Sequence, residues 1–292
     1  MADLTVRTKG TLLTALGVLV LTPDGLLVRL IDTDAWTLLI WRGFLFAIAI
    51  TLFYLLTQPA RFLGLFKKMG TAGIIASLCF TSSTLFFVQS LHNTSVANTL
   101  VLIATAPLFA ALLGAVILKE KLPLSTWLAI AVSLIGITYI FSESLSSDNL
   151  IGDIFALGAA MSIAAQITTV RRAKNVDMVP SLILSGICIG VVGIVAGGSL
   201  ETQAGSNLLY ILLLGLVVLP ISFGLITVGP RFIPAAEVSL LMLLETSLGP
   251  VWAWLVLSER PANETLAGGA LVVTTLVVHT LYTARRERAA AS

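Results

Sequence analysis

Three charged residues stand inside stretches that are otherwise apolar: Asp24, Arg42 and Glu245. A charge inside hydrocarbon costs several kcal/mol unless it is paired or hydrated, so each is a functional candidate by default. Asp24 follows Pro23 in the first apolar stretch. Pro23 lacks an N–H and leaves a carbonyl free about one turn earlier, which a polar interior can use. Asp24 lies about seven residues from the end of that stretch, and Arg42 about seven from the start of the next. At about 1.5 Å per residue both sit roughly 10 Å deep on the same side. They are placed to form an ion pair. Such a pair has two readings: a structural clamp between neighbouring helices, or a gate or site for a substrate's ammonium and carboxylate. Glu245 falls near the middle of its stretch with no partner of its own. It reads as a proton carrier or a cation contact, against the plainer alternative of a neutral acid bonded to a neighbouring hydroxyl.

Uncharged polar groups extend the candidate site. Thr81-Ser82-Ser83-Thr84 covers every face of one helix, so at least one hydroxyl meets the interior; Ser82 is taken as the candidate. In helices such groups often bond back to their own carbonyls. Asn98 and Gln166 carry amides that need partners in lipid. Trp41 and Met242 could line an apolar pocket, although aromatic and methionine side chains in such helices more often serve packing. The expected binding set is therefore Asp24, Trp41, Arg42, Ser82, Asn98, Gln166, Met242 and Glu245.

The elements that must hold these residues follow from composition. Fifty-seven per cent of the residues are hydrophobic and 11% charged, and the mean hydropathy is +1.02. Soluble domains carry about 25% charge, so this chain lacks the polar surface to cover a water-facing globule. It reads as an all-α polytopic membrane protein. A helix crosses the hydrocarbon with about 20 residues. The apolar windows are 10–31, 35–57, 70–91, 94–118, 124–141, 151–170, 178–198, 207–229, 234–257 and 264–283, giving ten transmembrane helices. The first is too long for a signal-peptide core and lacks a cleavage site. With the N-terminus in the cytoplasm, nearly all cations fall on the inner side, among them Lys67, Lys68, Lys119, Lys121, Lys174, Arg231 and Arg285; the outer ends hold only Arg29 and Arg260. This agrees with the positive-inside rule and puts both termini in the cytoplasm.

Ala97–Leu122 returns in weak form as Ala236–Pro261. Each copy starts at a small residue, runs through a long apolar helix broken by one proline (Pro107 or Pro250), and stops at a Glu-plus-cation corner, Glu120-Lys121 or Glu259-Arg260. Two five-helix repeats, residues 1–145 and 146–292, are expected. Because five is odd, the second inserts in the opposite sense to the first. Gly186-x-x-x-Gly190 and Gly193-x-x-x-Gly197 favour close helix approach.

The corners Leu118-Lys-Glu-Lys-Leu-Pro123 and Leu257-Ser-Glu-Arg-Pro261, the duplicated unit and Trp41-Arg42 in the second span together resemble the EamA-type family of the drug/metabolite transporter superfamily. Among its branches the chain looks most like bacterial amino-acid exporters of the YddG type. The resemblance implies two inverted repeats around a central cavity lined by spans 1–4 and 6–9, export rather than import, and an inner-membrane location.

The function expected is secondary transport of a small zwitterionic metabolite, an amino acid first, by alternating access. The alternatives are a passive channel or facilitator, and an exporter of cationic drugs or other metabolites. No Gly-rich Lys-Ser/Thr phosphate loop is present, which argues against direct use of ATP. An internal charge set of one arginine and two acids disfavours organic phosphates. His92 and His279 lie near span ends, and Cys79 and Cys188 are far apart. An enzyme, a metal site and a cofactor are not expected. The partners expected are a small-molecule substrate and the bilayer, with no nucleic acid.

Overall fold

The computed structural model describes residues 2–117, 124–144, 149–173, 176–201, 203–228, 232 and 235–291. The corner Glu120-Lys121 with Leu118, Lys119 and Pro123, and the charges Asp148, Lys174 and Arg231, lie outside these residues. Helix is the regular structure of the described residues, with no strand among them. The helices in order are α1 Ala2–Leu21, α2 Asp24–Leu30, α3 Ala35–Thr57, α4 Phe62–Asn93, α5 Val96–Ile103, α6 Ala106–Ile117, α7 Leu124–Ser144, α8 Leu150–Arg172, α9 Val179–Val195, α10 Gly205–Leu212, α11 Leu219–Val228, α12 Ala235–Leu257 and α13 Asn263–Ala291. Six segments are long and apolar enough to cross a membrane: Thr8–Leu30, Ala35–Thr57, Gly64–Asn93, Val96–Val116, Leu150–Val170 and Gly205–Val228. Leu124–Ile140, Val179–Val195 and Leu241–Leu257 are shorter apolar helices. Large apolar side chains such as Leu56, Val116 and Leu255 point outward from the bundle, as a lipid-facing surface requires.

The breaks have local causes. Thr22 and Pro23 interrupt the first span between α1 and α2, and the Thr22 hydroxyl donates to the Leu19 carbonyl at 2.9 Å. Ala104 and Thr105 separate α5 from α6 just ahead of Pro107. A turn of π-helix at Leu213–Val218 precedes Pro220. Pro220 cannot donate to the carbonyl four residues back, and the wider turn absorbs that loss. The two halves differ at one point where the repeat suggested likeness: Pro250 lies inside an unbroken α12. One proline removes a single helical hydrogen bond, and packing against α1, α2 and α5 holds the helix together there. α4 bends at Gly70, whose φ of 53° is in the left-handed region that favours glycine. α3 begins at an Asp34 cap that accepts the Trp36 and Thr37 N–H groups, both at 3.0 Å. Slight burial opposes ionisation of Asp34, but its hydrogen bonds with Thr37 and Trp36 outweigh this and hold the carboxyl below its ordinary value.

α3 packs along α9, α4 along α8, α7 along α13 and α1 along α11; α8 also meets α5 and α6, and α12 meets α1 and α5. Glycine makes the α3–α9 contact possible. A Cβ on Gly43 would lie 2.5 Å from the Gly186 carbonyl, and one on Gly186 would lie 2.6 Å from the Gly43 carbonyl. Gly190 and Gly193 meet Phe44 and Ile40 in the same seam. Gly186, Gly190 and Gly193 thus mark a close approach, as expected, whereas Gly197 lies past the end of α9 with nothing within 4 Å of where its Cβ would stand. Gly136 on α7 and Gly268 on α13 repeat the arrangement, each facing the other's carbonyl, at 2.8 and 2.7 Å. Gly186→Ala should force α3 and α9 apart and cost about 1–3 kcal/mol. In the detergent-purified protein this should lower the melting temperature by several degrees.

Candidate functional site

Asp24 opens α2 and Arg42 sits two turns into α3, so the Pro23 break and the Asp34 cap together set their positions. Arg42 Nη1 donates to Asp24 Oδ1 at 2.5 Å and Nη2 to Oδ2 at 2.7 Å. This is a bidentate pair, with both residues at most 4% exposed. The guanidinium lies over the Phe87 ring, 5.6 Å from its centroid. Its Nε has no hydrogen-bond partner among the described residues. Beside it is a cavity of about 10 Å³ lined by Arg42, Phe46, Phe80, Thr84, Leu219 and Phe223, room for roughly one water. Phe46, Phe80 and Phe223 close this cavity. Phe80 meets Phe223 edge-on at 4.8 Å, and Phe46 stacks on Phe80 at 5.9 Å. The cluster joins α3, α4 and α11 one turn beyond Arg42.

Glu245 comes from α12 on the other side. It is half-buried and makes no hydrogen bond or ion pair among the described residues. It lies within electrostatic range of both Asp24 and Arg42. A paired cation and a second acid thus share one region of the bundle. By residue type the set is one cation and two acids.

The other sequence candidates divide. Trp41 packs on the core around Phe46, and its Nε1 finds no partner among the described residues. Met242 packs on the same core. Of the hydroxyl quartet, Thr84 lines the cavity at Arg42; Ser82 is half-buried and is not among the lining residues. Ser83 bonds back to Phe80, and Thr81 reaches the Ser185 carbonyl. Asn98 lies in a separate buried network, taking a hydrogen bond from Thr265 and donating to Asp153, which also accepts from Thr94 at 2.9 Å. Gln166 on α8 is half-buried and makes no hydrogen bond among the described residues. Ser162 and Ser222 bond back to their own helices, and Thr105 donates to the Leu102 carbonyl of α5.

Sequence reasoning missed Phe46, Phe87 and Asp153. Phe46 carried a signal, since it stands four residues after Arg42 and so on the same face of α3. Asp153 also did, being an acid in the first turn of a span. Fully buried and hydrogen-bonded, it ties α8 to α5. Asp153→Ala should cost about 2–3 kcal/mol and lower the melting temperature, with solute flux at permissive temperature little changed.

The site draws on both halves of the chain, and sequence comparison divides the chain in the same way. A sequence model of the EamA-like transporter family matches it twice, over residues 8–142 and 150–281. The chain belongs to the EamA-like transporter family. Within this EamA-like chain, Asp24 and Arg42 come from the first matched unit and Glu245 from the second. YdfC of Bacillus subtilis (strain 168), an uncharacterized transporter, is 26% identical over 179 residues. That match spans 59% of this EamA-like chain and 58% of the relative's length. A protein crystal structure superposes with a TM-score of 0.68 at 18% identity, over 94% of this chain and 98% of the other. That likeness concerns the fold alone.

Proposed function

We propose that this chain is a secondary carrier exporting a small zwitterionic metabolite, an amino acid first, across the inner membrane by alternating access. Its ten spans form two inverted units, residues 1–145 and 146–292, with both termini cytoplasmic. The helix packing supports the inverted units. Exchanging the halves turns the α1–α11 pair into α8–α4 and the α1–α12 pair into α8 with α5 and α6, while α3–α9, α7–α13 and α5–α12 map onto themselves; every one of these pairs is present. The reciprocal contacts Gly43–Gly186 and Gly136–Gly268 have the form of residues facing their own counterparts across a twofold axis. Two halves related in this way can exchange conformations and so swap the open side.

The observation that carries the substrate reading is the acid–cation–acid set of buried Asp24 and Arg42 with half-buried Glu245. Arg42 is held by Asp24 on one edge of its guanidinium and keeps Nε free for a carboxylate. Glu245 makes no hydrogen bond or ion pair among the described residues and receives the ammonium or a proton. Thr84 lines the small cavity beside Arg42, and Trp41, Met242, Ser82 and Gln166 are brought to the site as the helices part. A cavity of about 10 Å³ is too small for an amino acid, so α3, α4, α11 and α12 separate when it binds. The direction of transport follows the resemblance to exporters.

A thermal-shift screen of the purified protein tests this reading. The common amino acids, added one at a time, should include ligands that raise the melting temperature; at a hundred times Kd the gain is about 2.7 kcal/mol. Glu245→Gln and Arg42→Lys should lose most of that shift. Stabilisation by no amino acid, or equal stabilisation of the variants, would refute the zwitterion site. A shift with cationic drugs alone would favour that alternative.

A further inference from the structure

At the Asp32 end of the bundle, α2, α5 and α12 converge on a vestibule of about 590 Å³. Arg29, His92, Ser95, Asn149, Leu257 and Glu259 are among its lining residues. Arg29 ends α2 and donates to the Thr94 carbonyl at 2.7 Å. Glu259, just past α12, accepts the Val96 N–H at the start of α5 at 2.8 Å. The two charges lie 3.7 Å apart. One acid therefore links the end of α12 to both α2 and α5, across the two halves. Farther from this end, Trp252 Nε1 donates to the Thr22 hydroxyl at 3.1 Å, and Gly249 abuts Leu100. Asp24 stands between Thr22 and Arg29 in the chain, five residues, roughly 7.5 Å, in from Arg29. The Arg29–Glu259 pair thus lies nearer this end of the bundle than Asp24, on the side of the vestibule.

We propose that Arg29 and Glu259 are transport residues: their ion pair latches α12 against α2 and α5 and sets how often this mouth opens. The proposal rests on the carrier reading above. The latch is built to be reversible. Arg29 and Glu259 are 32% and 23% exposed, so water and salt compete for the pair, and it contributes at most about 1 kcal/mol, or roughly five-fold in the open population. Each residue keeps a backbone partner of its own. Loss of one charge therefore weakens the latch while Glu259→Gln retains an acceptor for the Val96 N–H.

The test uses Thr84→Cys as a reporter beside Arg42, in a chain with Cys79→Ser and Cys188→Ser. It is labelled with a membrane-impermeant maleimide applied to either face of sealed membrane vesicles. Glu259→Gln, and independently Arg29→Gln, should raise labelling from the Asp32 face about five-fold and lower it from the opposite face. A residue that merely supports the fold would raise labelling from both faces when lost. An equal rise from both, or no change in either variant, would overturn the latch while leaving the carrier standing. Labelling of the parent reporter from one face only would overturn the carrier reading and the latch with it.

Discussion

Arg42→Ala should abolish solute flux and lower the stability of the protein by about 3–5 kcal/mol, because it strands the Asp24 carboxylate in a site only 2% exposed. The size of the loss reflects the unpaired charge more than the strength of the bond. Taking both charges out should undo most of it. Asp24→Leu with Arg42→Met replaces the pair by apolar groups of similar volume, an exchange that is often neutral or stabilising. The double variant should melt near the parent and still move solute at least about a hundred-fold more slowly, the equivalent of some 2.7 kcal/mol of binding and positioning. Melting and flux measured on the same preparations separate the two roles of the pair. Parental flux in the double variant would reduce Asp24–Arg42 to a clamp between α2 and α3.

Glu245→Gln should have the opposite profile. Glu245 makes no hydrogen bond or ion pair among the described residues, so its amide should fold with stability within about 1 kcal/mol of the parent. Flux should fall at least about ten-fold through loss of the ammonium contact, the low end of what a charge-assisted bond contributes. If Glu245 also carries the proton, an imposed pH gradient drives accumulation by the parent and leaves the variant unaffected. Unchanged flux with unchanged pH dependence would remove Glu245 from the mechanism.

The Asp24–Arg42 pair was legible in the sequence because two facts sufficed: charges do not stand alone in hydrocarbon, and depth follows from residue counts. Helix positions were legible for a related reason, since apolar windows end where Pro, Gly and charged residues accumulate. The windows 35–57 and 124–141 reappear as α3 and α7 with little change. Helix rotation was not legible. In lipid the outward face is as apolar as the buried one, so periodicity does not say which side of α4 meets Arg42. That is why Ser82 was chosen where Thr84 lines the cavity. Asn98 was placed at the site for the same reason, but its amide is held by Asp153 and Thr265. The Arg29–Glu259 pair spans more than 200 residues of sequence and joins two helix ends that only the packing of the halves brings together. In the sequence the two residues stand apart, Arg29 as an outer cation and Glu259 as a corner of the repeat.

The most direct test of the account is counterflow in proteoliposomes. Vesicles are loaded with one unlabelled amino acid that shifts the melting temperature, and entry of its labelled form is followed without any ion gradient. An alternating-access carrier gives transient accumulation of label above equilibrium, saturating with concentration, and Arg42→Ala and Glu245→Gln suppress it. Flux that rises without saturation and never overshoots would show an open pathway through the bundle and contradict the account.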